Sequence, residues 1–424
     1  MRRTYKGLAA LGVVALALTA CGGSDTDSSS ATSGSITFWD TSNVKEQPVF
    51  KQLVDKFTAK YPDIKVTYTP VPFEGANQKF TTAAQAGSGA PDVFRSDVGW
   101  VPQFAQKGFL LDVEGTPAGE GLDGFLAGPL ATGEYDGKQY GVPQVTDAPA
   151  LLYNKALLTK AGVEVPKTWA DVTAAAPKLK AAGVETLQTV GDDTYFIQCW
   201  LFGDGGQLVD SSAKKITVND PESVSGMTTR LNMQNEGTIV KDLSSDAYNN
   251  MMKAFKAGTV AMITNGPWSV SEILEGDAFK ADKTNLGVAV MPGGTKAGSS
   301  PVGGHDYVIY AGSKATDAAA TFVAYMSSVE SQAFISSQLP LLPTQKDAYT
   351  DPAVTGGTAA DLITAFGPVM DAATARPSVP IDLFTSSVRA EMGKILAGST
   401  PVQDGLDVAA AEYLTGLESF GYSD

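Results

Sequence analysis

The chain has 424 residues, with 31 Lys and Arg against 46 Asp and Glu, one His and two Cys, and 43% of it is apolar. That length supports a large core split between two or three domains, while a net charge of −15 excludes a surface built to neutralise phosphate backbones, and so excludes nucleic-acid partners. One imidazole, His305, is too few for a zinc module or a His-rich metal hydrolase; no metal and no cofactor is expected.

Arg2, Arg3 and Lys6 precede an apolar run over residues 8–18, which ends in Leu18-Thr19-Ala20-Cys21. A charged start, a short apolar core and small residues before a cleavage point describe an export signal. The run is shorter than the roughly 20 apolar residues of a membrane span. Leu-Thr-Ala-Cys resembles the lipobox of bacterial lipoproteins, which implies a signal peptide over 1–20 and a lipid on Cys21. The chain would then sit at the extracellular face of the cytoplasmic membrane, held by that anchor only. Residues 21–34 contain GGSDTDSSSATSG, without a large apolar side chain, and predict a flexible tether with a reach of roughly 20 Å. Cys199, beside Trp200 and Leu201, is the remaining thiol and reads as a small buried hydrophobe.

Beyond the tether, short β-branched or aromatic runs at 36–39, 64–69, 92–94, 259–263, 286–290 and 307–310 alternate with helical patterns. This alternation predicts α/β architecture, with mostly parallel sheets flanked by helices. Val49, Phe50, Leu53, Val54 and Phe57 recur at three to four residues, the stripe of a helix packed on a sheet. Thr168-Trp-Ala-Asp171 is a capping-box start with Gly183 as its stop. Asp220-Pro221 opens another helix that Gly237 closes, and Val402, Leu406, Ala410, Tyr413 and Leu417 give the tail one buried face. No stretch after Gly34 reads as a long linker.

Catalytic signatures are missing: no G-x-S-x-G, H-E-x-x-H, Walker loop or G-x-G-x-x-G occurs. Ser211-Ser-Ala-Lys214 matches S-x-x-K within a polar stretch and reads as a solvated turn. Aromatic and acidic residues instead gather at strand and loop ends: Trp39-Asp40, Asp97-Val-Gly-Trp100, Asp147, Tyr195, Trp200 and Asn265-Gly-Pro-Trp268. Ligands of open α/β sheets bind at the carboxyl ends of strands, and a sugar offers C–H faces to Trp and Tyr and hydroxyls to Asp and Asn. Trp169, at a helix start, is assigned to packing.

The blocks ITFWDTSN (36–43), APDVFRSDVGWVPQFAQKGFLLDV (90–113), YDGKQYGVPQVTDAPALLYNKALLTKAG (135–162), PKTWADV (166–172), FKAGTVAMITNGPWSVSEI (255–273), NLGVAVMPGG and PVGGHDYVIYAGS (285–313) resemble the solute-binding proteins of carbohydrate ABC importers, the maltose-binding-protein-like family. The wording looks most like actinobacterial maltose and maltooligosaccharide-binding lipoproteins. The resemblance implies a periplasmic-binding-protein-like fold of two lobes, 35–147 plus 304–340 and 148–303 plus 341–424. Three crossovers near 146–150, 302–305 and 338–343 would join them. It implies a monomeric, non-catalytic receptor that closes on an α-glucoside oligosaccharide and hands it to an ABC permease and its ATPase.

Carried over by position, Trp268 and Tyr195 would stack on sugar, while Asp147 and Asp97 would bind hydroxyls with Trp100 beside them; Trp39 and Asp40, at the end of the first strand, are added from their position alone. Arg95 either joins the ligand contacts or pairs with a carboxylate. The family's late aromatic has no clear counterpart, leaving Arg376, Phe384 or neither. His305 either reaches the ligand or satisfies a backbone carbonyl. Trehalose or another oligosaccharide competes with maltose as ligand, and a lipid-anchored glycoside hydrolase is the alternative of another class.

Overall fold

The computed structural model describes residues 33–377, 379 and 382–423. The export segment, Cys21 and the tether up to residue 32 lie outside the described residues. Among the described residues no helix is long and apolar enough to cross a membrane.

Two sheets make the framework. The first has the order Ile64–Pro70, Gly34–Asp40, Val93–Asp97, Gly303–Ile309, Gly141–Asp147, and the second the order Leu286–Ala289, Ala150–Asn154, Val260–Asn265, Glu185–Gln188. Within the first sheet only Gly303–Ile309 opposes its neighbours; within the second only Ala150–Asn154 does. Each sheet is thus mixed, one strand running against all the others, and the two reversals share one cause. Gly141–Asp147 leaves the first sheet at its carboxyl end, and after Ala148 and Pro149 the chain enters the second sheet as Ala150–Asn154. It arrives from the edge toward which the other strands point, so it has to run against them. Gly303–Ile309 re-enters the first sheet in the same way.

This routing places Asp97 opposite His305, Asp147 opposite Gly303 and Asn265 opposite Ala150. The strand ends that carry the candidate ligand residues therefore converge where the chain passes from one sheet to the other, the position at which such sheets hold ligands.

Side chains alternate across each sheet with the period of two that the pleat imposes. Ile36, Phe38, Tyr307 and Ile309 pack with Phe50, Phe57 and Phe322 on one face of the first sheet, while Trp39, Phe94 and Val308 pack with Phe80 and Phe104 on the other. Leu152, Val260 and Ile263 of the second sheet meet Phe255 and Phe279, and Leu151, Met262 and Leu187 meet Trp169 and Trp200. Helix Gln47–Lys60 buries its expected stripe, and Trp169–Ala181 begins with the full Thr168–Asp171 capping box. Helices Pro221–Asn235 and Val402–Leu417 follow their expected pattern. Trp169 and Cys199 are buried, and residues 211–214 form an exposed turn.

Three strands of the two main sheets were not among the expected runs: Gly141–Asp147, Ala150–Asn154 and Glu185–Gln188. The first contains Pro143, which cannot donate to a ladder. The structure accommodates it at a bulge, where His305 pairs with Val145 and Asp306 with Pro143, leaving Gln144 without a partner across the strand. Leu151 and Leu152 run directly into the helical segment Lys155–Ala161, and Glu185-Thr-Leu-Gln188 is polar by composition although three of its four residues are buried.

Candidate functional site

Asp147 ends the strand Gly141–Asp147 and is 8% exposed. Its Oδ1 accepts a hydrogen bond from the Tyr195 hydroxyl at 2.9 Å. Tyr195 lies in the first turn of helix Thr194–Asp204, where the Asp193 carboxylate caps its backbone N–H at 2.9 Å. The approach of these two groups depends on Gly303. A Cβ there would lie 2.2 Å from the Tyr195 hydroxyl and 2.5 Å from Asp147 Oδ1.

Trp268 follows the strand Val260–Asn265 in a short turn. Its ring is partly buried, 6.2 Å from Tyr195 and 6.4 Å from Phe196 between centroids, so Tyr195 and Trp268 form one aromatic wall. From the other side, Arg376 places its guanidinium 5.3 Å over the Tyr195 ring. It also reaches Asp97 Oδ1 at 3.4 Å, and that same oxygen accepts the Gly99 N–H at 2.7 Å. Trp100 is stacked between Phe94 and Phe73, and Phe73 meets His305 edge-on.

Trp39 and Asp40 do not join this group, which corrects the expectation for both. Asp40 is fully buried: its Oδ1 accepts Ser42 N–H at 3.0 Å, and its Oδ2 accepts the Tyr68 hydroxyl at 2.6 Å and the Ser42 hydroxyl. Its carboxylate is occupied in holding the strand ends together. Trp39 points to the opposite face, edge-on to Phe94, with Lys79 Nζ 4.2 Å over its ring. Arg95 takes the structural alternative, donating from Nε to Gln144 Oε1 at 2.8 Å with Asp40 4.0 Å away. Among the described residues neither His305 ring nitrogen has a hydrogen-bond partner, so no described backbone carbonyl is satisfied by it. Of the candidates for the late aromatic, Arg376 is in the group; the Phe384 side chain lies outside the described residues.

Burial pushes the Asp147 carboxyl up to about 7, with the Tyr195 hydroxyl pulling it down and the charge of Asp97 pushing it up. Burial likewise raises Glu46 to about 7 against the pull of Arg95. Tyr195 is held well above the usual phenol range by burial and by the charge of Asp147. His305 is held well below the usual imidazole range by burial and by Arg95. Near neutral pH the site therefore offers Tyr195 and His305 as neutral hydrogen-bonding groups, each able to donate or accept, with Asp147 close to its point of titration, beside flat apolar rings. A polyhydroxylated neutral molecule matches that set; the nearby cations Arg376 and Arg95 are turned to Asp97 and to Gln144 and Asp40 respectively.

Three contributors escaped the sequence reading. Asn43, following the first sheet's opening strand, donates from Nδ2 to the Trp268 carbonyl at 3.1 Å, and two residues on Lys45 pairs with Glu275 at 2.5 Å. Glu46 follows the ITFWDTSN block by three residues but is one acid among many, with nothing in its local pattern to mark it. Phe73 carried a signal, an aromatic in the Pro-flanked loop just past a strand end.

Fold and site together define a two-lobed ligand-binding protein with its residues gathered at the passage between the sheets. The chain belongs to the bacterial extracellular solute-binding protein family, which its sequence matches over residues 41–333. The GacH receptor of Streptomyces glaucescens GLA.O, solved unliganded and in complex with acarbose and an acarbose homologue, is 40% identical to it. The superposition has a TM-score of 0.87 and covers 92% of this chain and 100% of that one. A maltooligosaccharide ABC transporter solute-binding lipoprotein of Streptococcus pneumoniae is 28% identical over 81% of both chains. A binding protein of Brucella abortus is 28% identical over 63% of this chain, and the match spans 65% of that relative's length.

Proposed function

We propose that this chain is a sugar receptor that encloses a maltose-type α-glucoside oligosaccharide and delivers it to an ABC permease and its ATPase. The observation that carries the reading is the meeting of Asp147 and Tyr195 beside the ring of Trp268. It pairs a hydroxyl-binding dyad with a stacking face, in a chain 40% identical to a receptor solved with acarbose. The ligand contacts are Trp268, Tyr195, Asp147, Asp97, Arg376, Trp100 and His305.

The lobes 35–147 plus 304–340 and 148–303 plus 341–424 move as two bodies about the crossings between the sheets. The pairs Asn43–Trp268, Lys45–Glu275 and Asp97–Arg376 join them when closed. A ligand that touches both bodies favours the closed state by its differential contacts. The receptor is a monomer, does no chemistry on its cargo, and is tethered outside the cytoplasmic membrane by a lipid on Cys21. Incubation with end-labelled maltotriose tests this. The chain is expected to retain the sugar in a one-to-one complex and release it intact; a shortened product would identify a hydrolase, and no retention would refute the reading.

A further inference from the structure

Residues 43–46, between the strand Gly34–Asp40 and helix Gln47–Lys60, are held as one unit. Asn43 Oδ1 accepts the backbone N–H groups of Lys45 at 2.9 Å and of Glu46 at 3.2 Å, and Glu46 Oε2 accepts the Asn43 N–H at 3.2 Å. The reciprocal pairing is that of a capping box at a helix entry. The same unit meets the second body, where Asn43 Nδ2 donates to the Trp268 carbonyl and Lys45 pairs with Glu275.

Glu46 brings a poorly compensated carboxyl into this contact. It is 4% exposed, and among the described residues its side chain has one hydrogen bond, the bond from Asn43. Asp40 and Asp147, at the ends of their strands, oppose its charge; Arg95 of Val93–Asp97 favours it but is turned to Gln144 and Asp40. From the second body, Tyr248 on helix Ala247–Ala257 feels the charge of Glu46. The same Tyr248 hydroxyl accepts Asn265 Nδ2 at 3.5 Å, three residues before Trp268. A carboxyl shut between two bodies, with other acids facing it, favours its neutral form. Parting the bodies returns it to water, where the charged form is the stable one.

We propose that Glu46 takes up a proton as the two bodies close, so that the receptor holds its sugar more tightly as the medium acidifies. The proposal rests on the sugar-receptor reading above and assigns a regulation of that same site. Burial lifts Glu46 from 4.5 to about 7, and between those values the closed state keeps a proton that the open state releases. Its contribution to binding is therefore fully present below about pH 4.5 and lost as pH rises through 7.

Calorimetric titration of the purified protein with maltotriose at pH 6 and pH 8 tests it, each pH 6 titration being repeated in a second buffer of different ionisation heat. Through Glu46 the native chain should bind up to about tenfold more tightly at pH 6 than at pH 8, and take up a proton on binding at pH 6. Glu46→Gln keeps an acceptor for Asn43 but cannot ionise; it should lower that uptake and bind more tightly than the native chain at pH 8. The uptake should persist in Asp147→Asn, which removes the neighbouring titrating group. Thermal melts at both pH values should show each variant folded. No uptake by the native chain, uptake lost in Asp147→Asn, or uptake and pH 8 affinity unchanged in Glu46→Gln would overturn the proton link and leave the receptor standing. A native chain that binds no maltotriose at either pH would overturn the receptor reading and the link with it.

Discussion

Replacing Gly266 with alanine tests the placement of the Trp268 ring without removing the ring. The backbone at Gly266 has φ −125° and ψ −175°, an extended conformation that alanine adopts freely, so the whole effect is steric. An added Cβ would lie 1.9 Å from Trp268 Cζ3, 2.3 Å from Cη2 and 2.5 Å from Cε3, far inside the roughly 3.5–4.0 Å of carbon–carbon contact. The main chain has little room to retreat, because Gly266 N–H is bonded to Asn265 Oδ1 at 2.9 Å and its carbonyl accepts the Ser269 hydroxyl at 2.8 Å. The ring has to swing away from Tyr195 and Phe196.

Overpacking of this kind costs about 1–3 kcal/mol of stability, and losing a stacking face should cost about 1–3 kcal/mol of sugar affinity, roughly 5- to 150-fold. Trp268→Ala is expected to lose affinity by a similar amount. In the Trp268→Ala background the alanine at 266 should cost almost nothing, since the atoms it would strike are gone. Titration calorimetry with maltotriose, alongside thermal melts of all three variants, supplies the comparison. A folded Gly266→Ala variant with native affinity would show that the Trp268 ring does not face the ligand.

Burial lifts Asp147 from 3.8 and Glu46 from 4.5, both to about 7, so between about pH 4 and 7 the folded chain keeps protons that the unfolded chain releases. Their contribution to stability is present below about pH 4 and lost as pH rises through 7. Asp147→Asn should therefore gain up to about 4 kcal/mol relative to the native chain at pH 8 and less than about 1 kcal/mol at pH 4; parallel stability curves in denaturant across that range would contradict the assignment. Asn43→Ala removes the donor to the Trp268 carbonyl and should weaken every bound sugar alike by about 0.5–1.5 kcal/mol. Glu275→Gln breaks a pair whose side chains are 40% and 60% exposed and should change affinity by less than about 1 kcal/mol; the reverse order would show that closure depends on the rim ion pair. Cys21→Ala should move the protein from the membrane to the soluble fraction, and continued membrane retention would exclude a lipid at that position.

Elements with a strong period were legible because a single face decides them. The stripe from Val49 to Phe57 and the Thr168–Asp171 box needed only local chemistry. The strands Gly141–Asp147 and Glu185–Gln188 were not legible, because tertiary context overrides their propensity: a bulge accepts Pro143, and burial on both sides accepts Glu185-Thr-Leu-Gln188. Within the site, Tyr195, Asp147 and Trp268 stand together where the family resemblance implied. Trp39 and Asp40 fail for one local reason, the alternation of a strand. Trp39 faces the helices, and Asp40, on the other face, is taken up by Ser42 and Tyr68. Arg376 was one of two candidates for the late position, and its pairing with Asp97, like the Asn43–Trp268 contact, joins segments distant in sequence and is visible only in the folded chain.

The most direct measurement is a tryptophan-fluorescence titration of the protein with maltose, maltotriose, trehalose, sucrose and glucose. Of the five tryptophans, Trp39, Trp100, Trp169 and Trp200 are all at most 9% exposed, so the ligand-dependent signal should come chiefly from Trp268. A saturable change with maltotriose, reduced in Trp268→Phe to the smaller contribution of Trp100, is the predicted result. A native chain that stays silent with every sugar, or a signal undiminished in Trp268→Phe, would contradict the account of this site.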